Sequence, residues 1–225
     1  MDKIWSVAID GPSGAGKSSL SRRAAERFGM MYVDTGAIYR TVGLAVARAG
    51  ISPDDISAVI TLLPSLDIDL RHDEAGLQRM YLGGEDVSDS IRTPEISQYA
   101  SKVSAIPEVR AFLMEQQRSL ARRYSVIMDG RDIGTVVLPN ADIKIFLTAS
   151  AEDRARRRYE ENLAKGVKQS FEEVLADIIE RDERDSSRAA APLRAAEDAI
   201  YMDTSGNSFE ESLELLCSVI KERVG

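Results

Sequence analysis

The run Gly11-Pro12-Ser13-Gly14-Ala15-Gly16-Lys17-Ser18 has the residue types and spacing to bind a chain of phosphates. It satisfies the pattern G-x-x-x-x-G-K-[ST], in which small residues let backbone N–H groups turn inward around an anion. Lys17 is placed to reach the β- and γ-phosphates, and the Ser18 hydroxyl to sit on Mg2+. Gly11, Ser13, Gly14, Ala15, Gly16 and Ser19 complete the candidate cradle. The pattern carries this meaning only between a strand and a helix. Here the apolar run Ile4–Ile9 precedes it and a helical pattern, Ser19 to Phe28, follows it. That helix would turn its partial positive end toward the same anion. A Gly-rich turn that binds nothing is the competing reading, disfavoured by the full match in the right context.

Arginine is the second chemical signal. Arg154, Arg156, Arg157 and Arg158 crowd one segment, and Arg181, Arg184 and Arg188 another, with Asp182 and Asp185 among them. The apolar stripe Phe171, Val174, Leu175, Ile178 and Ile179, continued by seven residues, reaches Asp182 and Asp185 and runs close to Arg181 and Arg188. These charges therefore lie on or beside the face that points inward one turn earlier. Inward arginines with an aspartate suit a phosphate clamp, and a helix laced by i,i+4 ion pairs is the alternative.

A phosphate-binding loop with surplus arginine and no evident nucleophile suits phosphoryl transfer, which is mostly positioning and charge neutralisation. A hydroxyl acceptor calls for an aspartate base. A phosphate acceptor is already mostly ionised near neutral pH, its second pKa being about 6, and needs mainly cations to bring two polyanions together. The arginine surplus favours the phosphate acceptor. Asp129, ending an apolar strand, is a candidate to hold the Mg2+ hydration shell, and Asp34 is another. Either residue equally suits a helix cap or turn.

Short apolar strands alternate with helices around these groups. After Met30–Val33 come helices at Ala37–Ala49 and Pro53–Leu63. From Leu66 to Thr93 the texture becomes alternating, with Gly83-Gly84 as a turn, which predicts a small antiparallel insertion. Helices follow at Pro94–Ser104 and Pro107–Tyr124, then strands at Ser125–Met128 and Ile143–Leu147. Ser150 with Asp153 predicts a capping box. Helix Phe171–Arg188, strand Ala199–Met202 and helix Ser208–Val224 complete the chain. The pattern is that of an α/β fold on a parallel sheet, whose ligands gather at the carboxyl ends of the strands. The glycine-rich loop, Asp34 and the Asp129–Asp132 run all fall at such ends.

The 225 residues suit one domain with an insertion: a core of 1–65 and 94–225, and an insertion of 66–93. A net charge of −8 argues against a general nucleic-acid or anionic-membrane binder. The single cysteine, Cys217, lies in an apolar helical stripe and suits packing in a reducing compartment. The lone His72 has no metal-ligand spacing and is expected to be solvated or locally bonded. No run approaches a membrane span, and the N-terminal apolar run is too short for a signal peptide. A cytoplasmic monomer is expected.

Several runs resemble the bacterial cytidylate kinases, members of the nucleoside monophosphate kinase group of P-loop kinases. They are Ala8–Lys17, Asp34-Thr35-Gly36-Ala37-Ile38-Tyr39-Arg40, Gly84–Ser88 with Ile91–Thr93, Ser101–Ser104 with Pro107–Arg110, Asp129–Thr135, and Glu180–Asp185 with Arg188. The resemblance spans nearly the whole chain in matching order. It implies transfer of the γ-phosphoryl group of ATP to CMP or dCMP with Mg2+, as part of pyrimidine nucleotide metabolism. It also implies a five-stranded parallel sheet with helices on both faces, a monophosphate-binding insertion, and a helical lid near 151–168. Carried over residue by residue, it puts the acceptor phosphate on Thr35, Arg40, Arg131 and Arg188, and the sugar on Arg181 and Asp185. Ser101, Arg110 and Asp132 would read the cytosine edge, where an aspartate accepts from the exocyclic amine. Arg157 would pack near the donor nucleotide, and the lid arginines would close on the transferring group. Lys17, Arg131, Arg181 and Arg188 are the catalytic candidates. Thr35 stands where serine is commoner, and Ser18-Ser19 where Gly-Thr is also common. The alternatives are a kinase for another acceptor, such as UMP or a metabolite hydroxyl, and a nucleotide-dependent switch. No N-K-x-D run supports a GTPase.

Overall fold

The computed structural model describes residues 3–74, 76–164 and 166–224. Five strands build the main sheet: β1 (Ser6–Asp10), β2 (Met31–Asp34), β6 (Val126–Gly130), β7 (Ile143–Thr148) and β8 (Ile200–Asp203). Their order is β2-β6-β1-β7-β8 and every pairing is parallel. Parallel strands covered on both faces must be apolar throughout. Accordingly Val7, Ala8 and Ile9, and Val126, Ile127 and Met128, are all inaccessible to solvent. Each such aliphatic side chain is worth roughly 2 kcal/mol of burial.

Helices cover both faces. On one side α1 (Lys17–Phe28) and α8 (Phe209–Val224) pack with Leu20, Leu213, Leu216, Cys217 and Ile220 into one core. On the other, α2 (Thr35–Arg48), α4 (Pro94–Val103) and α5 (Pro107–Arg123) enclose a core with Ile38, Val42, Val103, Val109 and Leu113. The short α3 (Ile56–Leu62) ends in a 3-10 turn, Leu63–Ser65. The pair α6 (Ala151–Ala164) and α7 (Phe171–Ser187) packs through its own small cluster of Ala155, Val174 and Ile178. No helix among the described residues is long and apolar enough to cross a membrane.

The insertion forms a separate antiparallel sheet of β3 (Ile68–His72), β4 (Gln78–Leu82) and β5 (Glu85–Asp86). Gly83 and Gly84, both at positive φ, make the two-residue turn between β4 and β5, as type I′ geometry demands. Side chains fasten this sheet to the edge strand β2. The Gln78 carboxamide accepts from the Asp34 N–H at 2.8 Å and donates to the Asp34 carbonyl at 3.1 Å. His72 Nε2 donates to the Tyr32 carbonyl at 2.9 Å. His72 is thus bonded to backbone, but across two sheets rather than locally.

Most element ends move from their sequence positions by one to three residues. Ile4 lies before β1 and is exposed, because only the cross-strand register with Val126 decides where pairing begins. Ile179 leaves the inward stripe of α7 and is 44% exposed. The capping box at α6 is half formed. Ser150 Oγ accepts from the Asp153 N–H at 3.1 Å, but the Asp153 carboxylate turns to the Gly206 N–H at 3.1 Å instead.

Candidate active site

Register places the site. Asp34 and Ile9 both lie beside Asp129, and Asp10 lies beside Gly130, so three acids meet at one edge of the sheet. The loop between β1 and α1 rises over that edge. Its opening residue must be glycine: at φ 151 a Cβ on Gly11 would stand 1.9 Å from the Leu147 carbonyl oxygen. Gly14 and Gly16 also take positive φ, and Gly16 starts α1 in a left-handed conformation, which glycine adopts without steric cost.

Lys17 is buried under this loop, and its Nζ donates to the Pro12 carbonyl at 2.6 Å. Burial, and next the Arg131 charge, push its pKa down to about 7. The negative charge of a bound polyphosphate outweighs both effects and raises it. Binding therefore takes up protons at a pH above 7 where ATP itself is fully ionised. Titrating ATP at pH 8 in buffers of different ionisation enthalpy should show this uptake, and Lys17→Met should abolish it.

Ser18 Oγ donates to Asp129 Oδ2 at 2.9 Å, and the Tyr32 hydroxyl donates to Asp129 Oδ1 at 3.0 Å. Burial, then the neighbouring Asp34 charge, raise Asp129 to about 6. A hydroxyl beside a carboxylate is an all-oxygen donor pair, which fits Mg2+, an ion that keeps several waters and takes further ligands from substrate phosphates. No group of three or more acidic, histidine or cysteine side chains among the described residues could form a metal cage. Asp34, the other candidate, is also bonded at both oxygens. Its Oδ1 caps α2 by accepting from the Ala37 N–H at 2.8 Å, and its Oδ2 holds Arg40 at 2.9 Å.

The arginines gather beyond the loop. Arg131 Nε donates to Asp185 Oδ2 at 2.8 Å. Arg181 has a buried Nε with no partner among the described residues, and burial followed by the Arg131 charge brings its pKa down to about 10. Arg40 and Arg158 press on it in the same sense. Farther along, Asp132 lies between two guanidiniums: Arg110 Nη2 donates to its Oδ2, and Arg188 Nη2 is 3.6 Å from its Oδ1. Arg110 and Asp132 are each about 95% buried. Among the described residues Arg188 Nη2 has no hydrogen-bond partner, while its Nε donates to the Ala191 carbonyl at 2.6 Å. Burial, then the Arg110 charge, lower the Arg188 pKa. Ser101 Oγ accepts from Arg184 at 3.3 Å. The Thr35 hydroxyl donates to the Asp129 carbonyl at 2.7 Å.

Among the loop residues, Ser13 and Ala15 are buried and Ser19 is exposed. Arg157 reaches the Thr204 carbonyl at 2.9 Å with its guanidinium beside Gly16. Arg154, grouped by sequence with the arginines that close on phosphate, is otherwise engaged. Its guanidinium donates to the carbonyls of Ala149 at 2.9 Å and Ser13 at 3.0 Å, and to Asp182 Oδ2 at 2.6 Å. It straps the loop to α7. Asp10 is a residue to which the sequence reading gave no role. Its two oxygens accept from the Ile133 and Gly134 N–H groups, each at 2.7 Å. Its place at the end of an apolar run, next to the glycine loop, was the available signal.

The family model for cytidylate kinase matches residues 7–222. This chain belongs to the cytidylate kinase family. A cytidylate kinase of Halalkalibacterium halodurans is 48% identical over 99% of this chain and all of its own. One from Geobacter sulfurreducens is 50% identical, covering 96% of this chain and 93% of its own, and one from Caldicellulosiruptor bescii is 50% identical over the full length of both. A solved structure of an uncharacterised protein from Eubacterium ventriosum superposes with a TM-score of 0.55 at 13% identity, covering 98% of this chain and all of that one. That likeness concerns the fold alone. Membership makes the chain an enzyme of the nucleoside monophosphate kinase group, and the glycine loop, Lys17 and the arginine-lined cleft are its candidate machinery.

Proposed function

We propose that the protein transfers the γ-phosphoryl group of ATP to CMP or dCMP, giving ADP and CDP or dCDP by in-line displacement. One observation carries the reading. Burial and then the Arg131 charge lower the proton affinity of both Lys17 and Arg181, and Arg181 Nε and Arg188 Nη2 are buried with no hydrogen-bond partner among the described residues, so the cleft holds donors that its own carboxylates leave unpaired. Such a site is complementary to two polyanions brought end to end.

The Gly11–Ser19 loop holds the donor phosphates, with Lys17 on the β- and γ-oxygens and Arg157 against the donor nucleotide. Thr35, Arg40, Arg131 and Arg188 take the acceptor phosphate. Arg181 and Asp185 take the sugar, and Ser101, Arg110 and Asp132 read the cytosine edge. Ser18 and Asp129 hold Mg2+ with its water shell. When bound, Mg2+ supplies charge neutralisation between the β- and γ-phosphates. No side chain is assigned as a base, since the acceptor phosphate is ionised near neutral pH. The segment near 151–168 acts as the lid, its arginines closing on the transferring group, and residues 66–93 act as the monophosphate-binding insertion. The protein works as a cytoplasmic monomer on small molecules, with no nucleic-acid or membrane partner.

Initial rates of ADP formation from MgATP with CMP, dCMP, UMP and AMP test this directly. The expected result is strong preference for both cytidine nucleotides. Equal rates with UMP would remove the account of base reading, and no transfer to any of them would remove the reaction.

A further inference from the structure

We infer that Tyr32 is a positioning residue for the metal: its phenol orients the Asp129 carboxylate so that one oxygen is left to face Mg2+ and its waters. The inference rests on the proposed role of Asp129. Each Asp129 oxygen has one side-chain donor, Tyr32 on Oδ1 at 3.0 Å and Ser18 on Oδ2 at 2.9 Å. The two donors differ in kind. Ser18 stands at the exposed mouth of the loop, and its hydroxyl can keep its bond to Oδ2 while offering a lone pair to a cation. The Tyr32 ring is locked in the apolar core with Val7, Ile9, Leu20 and Ile127, and its hydroxyl donates to Asp129 while lying within reach of the Ser18 hydroxyl. Without it, Oδ1 is a buried carboxylate oxygen lacking its donor, and the carboxylate is free to turn about its own axis. Outer-shell hydrogen bonds of this kind tune metal affinity.

Tyr32 is itself held from two sides. His72 Nε2 donates to its backbone carbonyl, and Gln78 clasps both backbone groups of Asp34, two residues along the same strand. Both clasping side chains come from the insertion sheet. The insertion therefore braces the strand that aims Asp129.

The test is ADP affinity by calorimetry with and without Mg2+, repeated with Mn2+ so that bound metal is also counted by its spin resonance. Tyr32→Phe keeps the ring in the core and removes only the hydroxyl. The expected outcome is a loss of about tenfold or more in the gain that metal confers on ADP binding, with metal-free ADP affinity changed less than twofold. Asp129→Asn should lose the same gain. If Asp129→Asn loses it and Tyr32→Phe does not, the Tyr32 inference is wrong while the Asp129 reading stands. If neither loses it, the Asp129 reading fails as well. A fall in metal-free affinity as large as the fall with metal would make Tyr32 a merely structural residue and overturn the inference. A thermal melt confirms folding. Should the phenylalanine variant not fold, Tyr32→Leu is read by the same criterion.

Discussion

Lys17→Ala should lower kcat by about 10³-fold or more, the scale of losing one preorganised charge at the transition state. That is roughly 4 kcal/mol of transition-state stabilisation. The same variant should melt no lower than the parent when both are empty. Lys17 is buried beneath the glycine loop and gains a single hydrogen bond, from its Nζ to the Pro12 carbonyl. Burial and the Arg131 charge both disfavour its ammonium, which is why its pKa falls to about 7. A group whose charged form is disfavoured in the folded state contributes function at the expense of stability. Steady-state rates at saturating MgATP and CMP, with melts of the empty proteins, measure both. A variant retaining near-parental kcat would remove Lys17 from the chemistry, whatever the melt shows.

Asp132→Ala should be harmful twice over. Asp132 is the carboxylate between the buried Arg110 and Arg188 guanidiniums. Removing it leaves buried like charges facing each other, at a cost of about 3–5 kcal/mol of stability. Denaturant unfolding reads this as a lower midpoint. In turnover, kcat/KM for CMP should fall on the order of 10³- to 10⁴-fold, as happens when a site built to hydrogen-bond a substrate group loses its partner. Asp132→Asn separates the two effects. It keeps the volume and a carbonyl oxygen for one arginine, but offers an amide N–H where cytosine presents its amine. Uracil presents an acceptor at that place, so the CMP-to-UMP preference should collapse in Asp132→Asn even where the protein folds well. An unchanged preference would move base reading to other residues.

The two variants differ in how visible their residues are in the chain. Lys17 is announced by its neighbours, because a loop that wraps a phosphate needs small residues at fixed offsets from the lysine. The structure agrees, with positive φ at Gly11, Gly14 and Gly16. The inward turn of the arginines on α7 was also legible: helical period carries the stripe from Val174 and Ile178 to the buried Asp185. Where period alone ruled, it also misled. Ile179 belongs to the same stripe by spacing, yet it is left 44% exposed. Arg154 has partners that no local spacing announces: beside the nearby Ala149 carbonyl, the distant Ser13 carbonyl and Asp182 carboxylate take its guanidinium.

Sequence by itself determined what depends on short range. The continuous apolar runs made buried parallel strands, the glycines made the anion loop and the β4–β5 turn, and each strand delivered its polar residues to its own carboxyl end. Only the tertiary structure decided which of those residues meet. Asp129 is separated by 97 residues from Tyr32 and by 111 from Ser18, and Asp10 by 123 from the Ile133 N–H it accepts. Those meetings follow from the order β2-β6-β1 and its register, in which one residue of slip would turn Asp129 to the other face of the sheet. Register is set by packing across the whole sheet, and no local spacing encodes it. The same reason kept the partners of Asp34 out of sight: its Oδ1 caps α2 at the Ala37 N–H and its Oδ2 holds Arg40.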